Sequence, residues 1–226
     1  MAVYIQIGSG AGDMDSSSNF NDGFTNFIKN KNLDKNDKIL LVEANPLNIK
    51  KLNECWKDFS NAKIFNLAIV GNDFINKSID LFYAKDDKPN YQATSQNIDY
   101  VKKHYPNSDT VKISVKSKKI SDFLNEVAVN EKIEYLAIDA EGMDFEIIMS
   151  IDFAKFDIKN ISLEFLHFGK NRKKILNKLA DSGYSFKGSG FDVNGYDFMF
   201  EKKTNIYLKF KTKYFTPPIK KYIKTP

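Results

Sequence analysis

Apolar positions along the chain follow two periods that alternate. Short β-prone runs occupy residues 3–7, 39–43, 63–70, 135–139 and 160–165. They are too short for helices and are rich in Val, Ile, Leu and aromatics, which reads as buried strand. Between them the spacing becomes helical. Phe20, Phe24, Phe27 and Ile28 share one face, and residues 47–59, 145–149 and 172–180 continue the pattern. Ser121 or Asp122 is expected to cap a further short helix through Val127. Two more β-like runs, 78–83 and 111–116, flank a polar segment, and 184–187 with 196–201 read as a closing hairpin. Alternating strands and helices predict an α/β fold with a mostly parallel sheet, helices on both faces and an antiparallel C-terminal edge.

The first strand runs directly into Gly8-Ser9-Gly10-Ala11-Gly12. Glycines there let the backbone turn tightly and lie close to a ligand. A dinucleotide fingerprint would place its last glycine at position 13, where the chain has Asp13. A G-x-G-x-G spacing suits S-adenosylmethionine (SAM) better, although alone it also describes an ordinary tight turn. The second strand ends in Glu43, followed by Ala44-Asn45-Pro46. An acid in that place binds ribose hydroxyls in α/β cofactor folds. It lies 31 residues after Gly12, against roughly 20 in the usual pattern, and the polar stretch 29–38 absorbs the excess. Asn45-Pro46 is also a good N-cap and N1 pair.

Length and composition fit one domain with ample core. At 226 residues and 42% hydrophobic content, disorder is excluded. No apolar run spans a bilayer, and no charged-then-apolar leader opens the chain, so a cytoplasmic protein without an integral membrane segment is expected. The single Cys55, beside Trp56, reads as a core residue, and one Cys with two His makes zinc improbable. Net charge is +5. Much of it lies in residues 202–224, where lysines alternate with aromatics. That composition could track a nucleic-acid or anionic membrane surface, but an amphipathic edge strand followed by a solvated tail is the favoured reading. Residues 1–203 are expected to form the catalytic domain and 204–226 a basic-aromatic extension.

Polar residues gather at the carboxyl ends of the successive strands: Gly8 to Gly12, Glu43, Asn66 with Ala68, Asp139 with Glu141, and Glu164 with His167. Such ends form the ligand crevice of an open α/β sheet.

These segments resemble the FkbM family of SAM-dependent methyltransferases. Ile5 to Gly12 is similar to its glycine turn, and Val42-Glu43-Ala44-Asn45-Pro46 to its "E-P" segment. Asn66-Leu67-Ala68-Ile69 resembles its third strand, and Ile120-Ser121-Asp122-Phe123-Leu124 its "L-D-x-[FL]-L" helix start. The most specific match is Leu136-Ala137-Ile138-Asp139-Ala140-Glu141-Gly142-Met143-Asp144, which resembles "K-I-D-V-E-G-x-E". Ile161-Ser162-Leu163-Glu164-Phe165 is similar to the fifth strand. The resemblance covers about residues 4–201. It implies a Rossmann-like class I methyltransferase fold and methyl transfer from SAM to an oxygen, commonly a hydroxyl of a sugar or secondary metabolite. Two departures stand out: Gln6 where an acid is usual, and Gly10 where Asn is common.

On this reading Gly8, Ser9, Gly10, Gly12, Glu43, Ala44, Asn45, Asn66, Ala68 and Asp139 hold the cofactor. His167, Asp139 and Glu141 are the catalytic candidates. A hydroxyl acceptor needs a base, and an imidazole suits that work near neutral pH. His167 equally fits a packed aromatic cluster with Phe165 and Phe168. Asp139 and Glu141 are permitted as magnesium ligands, but two carboxylates do not establish a metal and none is assigned. His104, in a polar loop, is expected to be simply exposed. The long polar segment 85–107 reads as a substrate lid or a surface excursion, with Tyr91, Thr94 and Ser95, together with Glu164, as acceptor contacts. The expected partner is a small molecule or glycan and not a nucleic acid. The competing readings are an NAD-dependent oxidoreductase on a similar sheet and a non-catalytic carbohydrate-binding relative.

Overall fold

The computed structural model describes residues 1–12, 22–165, 168–192, 195 and 197–203. Asp13, Phe20, His167, Tyr196 and the basic-aromatic extension 204–226 lie outside the described residues.

Ten strands and six α-helices follow one another in the expected alternation. They are β1 (Val3–Ile7), α1 (Gly23–Lys29), β2 (Lys38–Glu43), α2 (Pro46–Trp56), β3 (Ala62–Asn66), β4 (Ala68–Val70), β5 (Ser78–Ala84) and α3 (Ile98–His104). After these come β6 (Thr110–Lys119), α4 (Ile120–Val127), β7 (Lys132–Ile138), α5 (Asp144–Ser150), β8 (Asp157–Glu164), α6 (Arg172–Asp181), β9 (Tyr184–Ser189) and β10 (Asp197–Lys202).

Seven strands form the main sheet in the order β3-β2-β1-β7-β8-β10-β9. The first five are parallel, with Ile5 opposite Leu40 on one side and Leu136 on the other. Strand β10 inserts antiparallel between β8 and β9, so the reversed strand lies one place in from the edge. Chain order switches direction between β1 and β7, which opens a crevice at their carboxyl ends. This is the Rossmann-like, mostly parallel α/β architecture that the strand and helix pattern predicts.

Side-chain alternation divides the core between the two faces. On β1, Val3, Ile5 and Ile7 pack with residues of α4, α5 and α6, including Phe123, Ile147 and Leu179. Tyr4 points the other way, with Ile39 and Leu41, against Phe24 and Ile28 of α1 and Leu52, Cys55 and Trp56 of α2. Fully burying such aliphatic and aromatic side chains stabilises a fold by about 1.5–3 kcal/mol each. Cys55 is a buried core residue as expected. No helix of the described residues is long and apolar enough to cross a membrane.

Two local expectations are corrected. Residues 63–70 do not form one strand. The chain breaks at Leu67, so β3 stays in the main sheet while β4 joins β6 and β5 in a separate three-stranded sheet. The run is interrupted only by Asn66, and one polar residue carries no signal for such a change of partner. The cap of α4 is neither Ser121 nor Asp122. Strand β6 runs straight into the helix, leaving Lys119 at the cap position without a side-chain cap bond. The Ser121 N–H in the first turn instead donates to Asn72 Oδ1 at 3.3 Å. The Asn45-Pro46 signal holds: Asn45 Oδ1 accepts from the Leu47 N–H at 3.0 Å and Pro46 opens α2.

Candidate active site

The turn after β1 is held from below. The Gly8 and Ser9 N–H groups both donate to the Val42 carbonyl, at 2.9 and 3.0 Å. Gly8 has φ +84°, and a Cβ there would stand 1.6 Å from the Asp139 carbonyl oxygen. Only glycine lets β1 and β7 close at this point. Gly10 has φ +53° with no heavy atom within 4 Å of its Cβ position. Its missing side chain therefore leaves open space, the surface on which a ligand can lie against the backbone.

Glu43 joins this turn to α2. Its Oε2 accepts from the Gly10 N–H and its Oε1 from the Asn45 N–H, each at 2.7 Å. Only 6% of the residue is exposed. Burial pushes its carboxyl up to about 7, against the pull of the Asn45 and Gly10 N–H bonds. Asn66 stands behind it, donating from Nδ2 to the Glu43 and Ala44 carbonyls at 2.9 and 3.1 Å.

A cavity of about 600 Å3 opens over these strand ends, a size that suits a nucleoside-containing ligand. Gly8, Ser9, Gly10 and Gly12 form part of its floor, with Glu43, Ala44 and Ala68 at one end and Asp139, Glu141 and Glu164 at the other. Tyr91 and Thr94 form a wall. Three expected site residues, Asn45, Asn66 and Ser95, stand behind the lining as supports. Asn45 Nδ2 donates to Thr94 Oγ1 at 2.9 Å, and Ser95 Oγ donates to the Glu141 carbonyl at 2.7 Å. His167 lies outside the described residues.

The segment between β5 and α3 is anchored across the crevice. Lys51 of α2 donates to the Pro89 carbonyl at 2.7 Å and to Asn90 Oδ1 at 2.8 Å. Asp87 accepts from the Ala93 N–H at 2.7 Å and the Tyr105 hydroxyl at 2.6 Å. Asn90 is buried, lines the cavity and leaves its Nδ2 without a partner among the described residues.

The acidic end is built by the loop after β7. Asp144 accepts from the Ala140 N–H at 2.7 Å and the Gly142 N–H at 3.1 Å. This holds Glu141 at φ +47°, a left-handed conformation that costs a non-glycine residue roughly 1–3 kcal/mol and tends to mark working sites. Asp139 Oδ1 is buried without a hydrogen-bond partner among the described residues. Burial, reinforced by Glu164 and Glu141, holds its carboxyl well above the usual range.

Sequence reasoning did not assign three of the residues here. Tyr100 of α3 hydrogen-bonds Glu141; burial and then the carboxylates of Glu141, Glu164 and Asp139 raise its pKa and keep the phenol protonated. His104 is exposed as expected, but it also lines the cavity, its ring tilted against that of Tyr100 with centroids 4.5 Å apart. Gln6, at the end of β1, donates from Nε2 to Asp22 Oδ1 at 2.8 Å. Asp22 caps α1 by accepting from the Thr25 N–H at 2.6 Å. The polar, aromatic character of 85–107 was the one signal that pointed towards Tyr100. Nothing in the sequence pointed to the Gln6–Asp22 pair.

Residues 7–186 match the family model described as the methyltransferase FkbM domain. No curated protein matches the chain. Among solved structures it is similar to the precorrin-6y C5,15-methyltransferase of Geobacter metallireducens GS-15, with 14% identity, TM-score 0.42, and 89% of this chain and 79% of that one covered. A human methyltransferase 10 domain containing protein shows 11% identity and TM-score 0.45, over 91% and 72%. The fibrillarin pre-rRNA processing protein of Methanococcus jannaschii shows 12% identity and TM-score 0.41, over 90% and 67%.

Proposed function

The chain belongs to the FkbM family of methyltransferases, and we propose that it transfers a methyl group from SAM to a hydroxyl oxygen of a sugar-like or other small molecule. The observation that carries this reading is the unit formed by Glu43 and Gly10: a buried acid bonded to a glycine turn that faces open space. The residues present fit SAM. Glu43 would accept from the ribose hydroxyls, the 8–12 turn would carry the methionine portion, and Ala44 and Ala68 would shape the adenosine end. Asn45 and Asn66 hold that end in register.

When bound, SAM supplies a sulfonium methyl group, whose C–S bond breaks as a C–O bond forms to the acceptor. The protein's work is alignment and proton removal. Tyr91, Thr94, Ser95 and Glu164 orient the acceptor, directly or through the wall they build. Asp139 and Glu141 fix the reacting end, and His167 takes the hydroxyl proton. Among the described residues no three His, Cys, Asp or Glu side chains converge on one metal position. Among the described residues, seven carboxylates and no lysine or arginine line the cavity, which favours a small acceptor over a polyanion such as RNA.

Calorimetric titration with SAM and with NAD tests the reading. SAM is expected to bind and NAD not. Tighter binding of NAD would replace the methyltransferase with an oxidoreductase, and binding of neither would leave a non-catalytic relative.

A further inference from the structure

Asn90, in the segment between β5 and α3, has its side chain set by α2. The Lys51 ammonium donates to Asn90 Oδ1 at 2.8 Å and to the neighbouring Pro89 carbonyl at 2.7 Å. An ammonium only donates, so this contact fixes which way the amide lies: its oxygen is on Lys51 and its nitrogen on the opposite branch. That nitrogen is buried with no partner among the described residues, in a residue that is 4% exposed and lines the cavity. A buried N–H left unpaired costs free energy, which a ligand lone pair restores. The backbone beside it is held in place. The Tyr91 N–H donates to the Asp87 carbonyl at 2.7 Å, the Thr94 hydroxyl donates to the Tyr91 carbonyl at 2.8 Å, and Asn45 Nδ2 donates to Thr94 Oγ1 at 2.9 Å. Tyr91 itself has φ +47°, a left-handed conformation of the kind that gathers at ligand clamps.

The groups along α2 indicate which part of a ligand meets this donor. Asn48 lies three residues before Lys51 on the helix, so the two share a face. The Asn48 side chain hydrogen-bonds Glu43, the acid proposed to take the ribose. Its Oδ1 is buried in the cavity wall without a partner among the described residues. The wall therefore runs from an acid to an unpaired acceptor to an unpaired donor. A nucleoside has the complementary order. Its ribose hydroxyls donate, and the adenine ring nitrogens beyond them carry lone pairs. One helical turn is about 5.4 Å, the scale on which a base follows its ribose. Asp139, Glu141 and Glu164 stand at the other end of the cavity, so Asn90 is far from the reacting groups.

We propose that Asn90 reads the adenine ring of the cofactor, donating from Nδ2 to one ring nitrogen. The proposal rests on the methyltransferase reading and adds to it a base-recognising residue outside the strand ends. The same segment carries Tyr91 and Thr94, so one loop serves both the cofactor base and the acceptor wall.

The test is calorimetry with S-adenosylhomocysteine and its 1-deaza, 3-deaza and 7-deaza analogues, each of which lacks one ring nitrogen. In the wild-type protein one analogue is expected to bind roughly tenfold more weakly than the parent, because it leaves the buried donor unpaired. Asn90→Asp keeps an oxygen for Lys51 and removes the donor. With a normal melting curve, it should bind the parent roughly tenfold more weakly and discriminate against that analogue less than about twofold. Asn90→Ala should lose the same discrimination without adding a charge. Equal binding of the parent and all three analogues by the wild type, or a penalty that persists in both variants, would overturn the proposal while leaving the methyltransferase intact. Failure of the wild type to bind S-adenosylhomocysteine would overturn both.

Discussion

Glu43 Oε2 accepts a hydrogen bond from the Gly10 N–H at 2.7 Å, so the acid ending β2 and the turn following β1 form one rigid unit. Its other oxygen is fixed by Asn45 at 2.7 Å. Both bonds orient the carboxylate before any ligand arrives, and such preorganisation lowers the entropy cost of binding. Glu43→Ala removes the ribose contacts and the anchor of the turn together. SAM affinity is expected to fall roughly 10- to 100-fold, the equivalent of one or two charge-assisted hydrogen bonds. Calorimetry on a variant with a normal melting curve checks this, and an unchanged affinity would remove Glu43 from the cofactor site.

Two glycines of the same turn predict opposite lesions. A side chain at Gly8 collides with the Asp139 backbone, so Gly8→Ala is expected to lose folded protein. At Gly10 nothing stands in the way. Gly10→Val is therefore expected to fold, at a left-handed strain of about 1–2 kcal/mol, and to fill the space proposed for the cofactor. Its thermal unfolding should remain cooperative while SAM binding disappears. Normal binding by Gly10→Val would show that the turn is not the cofactor loop.

Much of this arrangement was legible in the chain. The apolar periods place the parallel strands in order, because burial on both faces makes each a continuous hydrophobic run. The acids at strand ends were visible because they interrupt those runs. What could not be read depends on long-range packing. The break at Leu67 is decided by which strand β4 pairs with, and an apolar run is compatible with either partner. Tyr100 faces Glu141 only because α3 folds back over the crevice, 41 residues away in sequence. Gln6 and Asp22 meet because a helix cap happens to sit under the end of β1.

Stability of the ligand-free protein is expected to fall as pH rises from 5.5 to 8. Burial raises Asp22 to about 6 and Glu43 to about 7, and lifts Asp139 further above its ordinary range. In the unfolded chain these groups lose their protons near about 4. Across the window between those values the folded state holds more protons, so stability decreases as pH rises through it. Paired surface acids do not oppose this trend. Lys203 holds Glu201 down and Lys112 holds Asp80 down, so both are ionised in either state. Asp139→Asn should raise the melting temperature at pH 8 and shrink the difference between the two pH values. Scanning calorimetry decides, and a melting temperature that climbs from pH 5.5 to 8 would contradict the assignment.

Tyr100 is expected to act on the acceptor side through its bond to Glu141. Tyr100→Phe keeps the ring and its tilted contact with His104 but deletes the hydroxyl. Methyl transfer should fall about tenfold, the value of one hydrogen bond to a charged group, with SAM affinity unchanged. A loss confined to SAM binding would place Tyr100 against the cofactor instead.

The proton of the acceptor provides the last prediction. With His167 as base, the transfer rate rises with pH through an apparent pKa near that of a histidine, about 6.5. His167→Ala should lose that limb while binding SAM normally, since the base faces the acceptor. Asp139 offers the rival explanation of the same limb, because its buried carboxyl is held well above the ordinary range. The two variants separate them. A limb that persists in His167→Ala and vanishes in Asp139→Asn would move the role to Asp139. Turnover is also expected to be indifferent to chelation if, as proposed, Asp139 and Glu141 position the reacting groups without a cation. Loss of activity in EDTA, restored by magnesium, would instead make those carboxylates metal ligands that lower the pKa of the acceptor hydroxyl. In that case the pH limb would belong to the metal-bound acceptor and survive in His167→Ala, while Asp139→Asn would lose the magnesium-dependent turnover with its ligand.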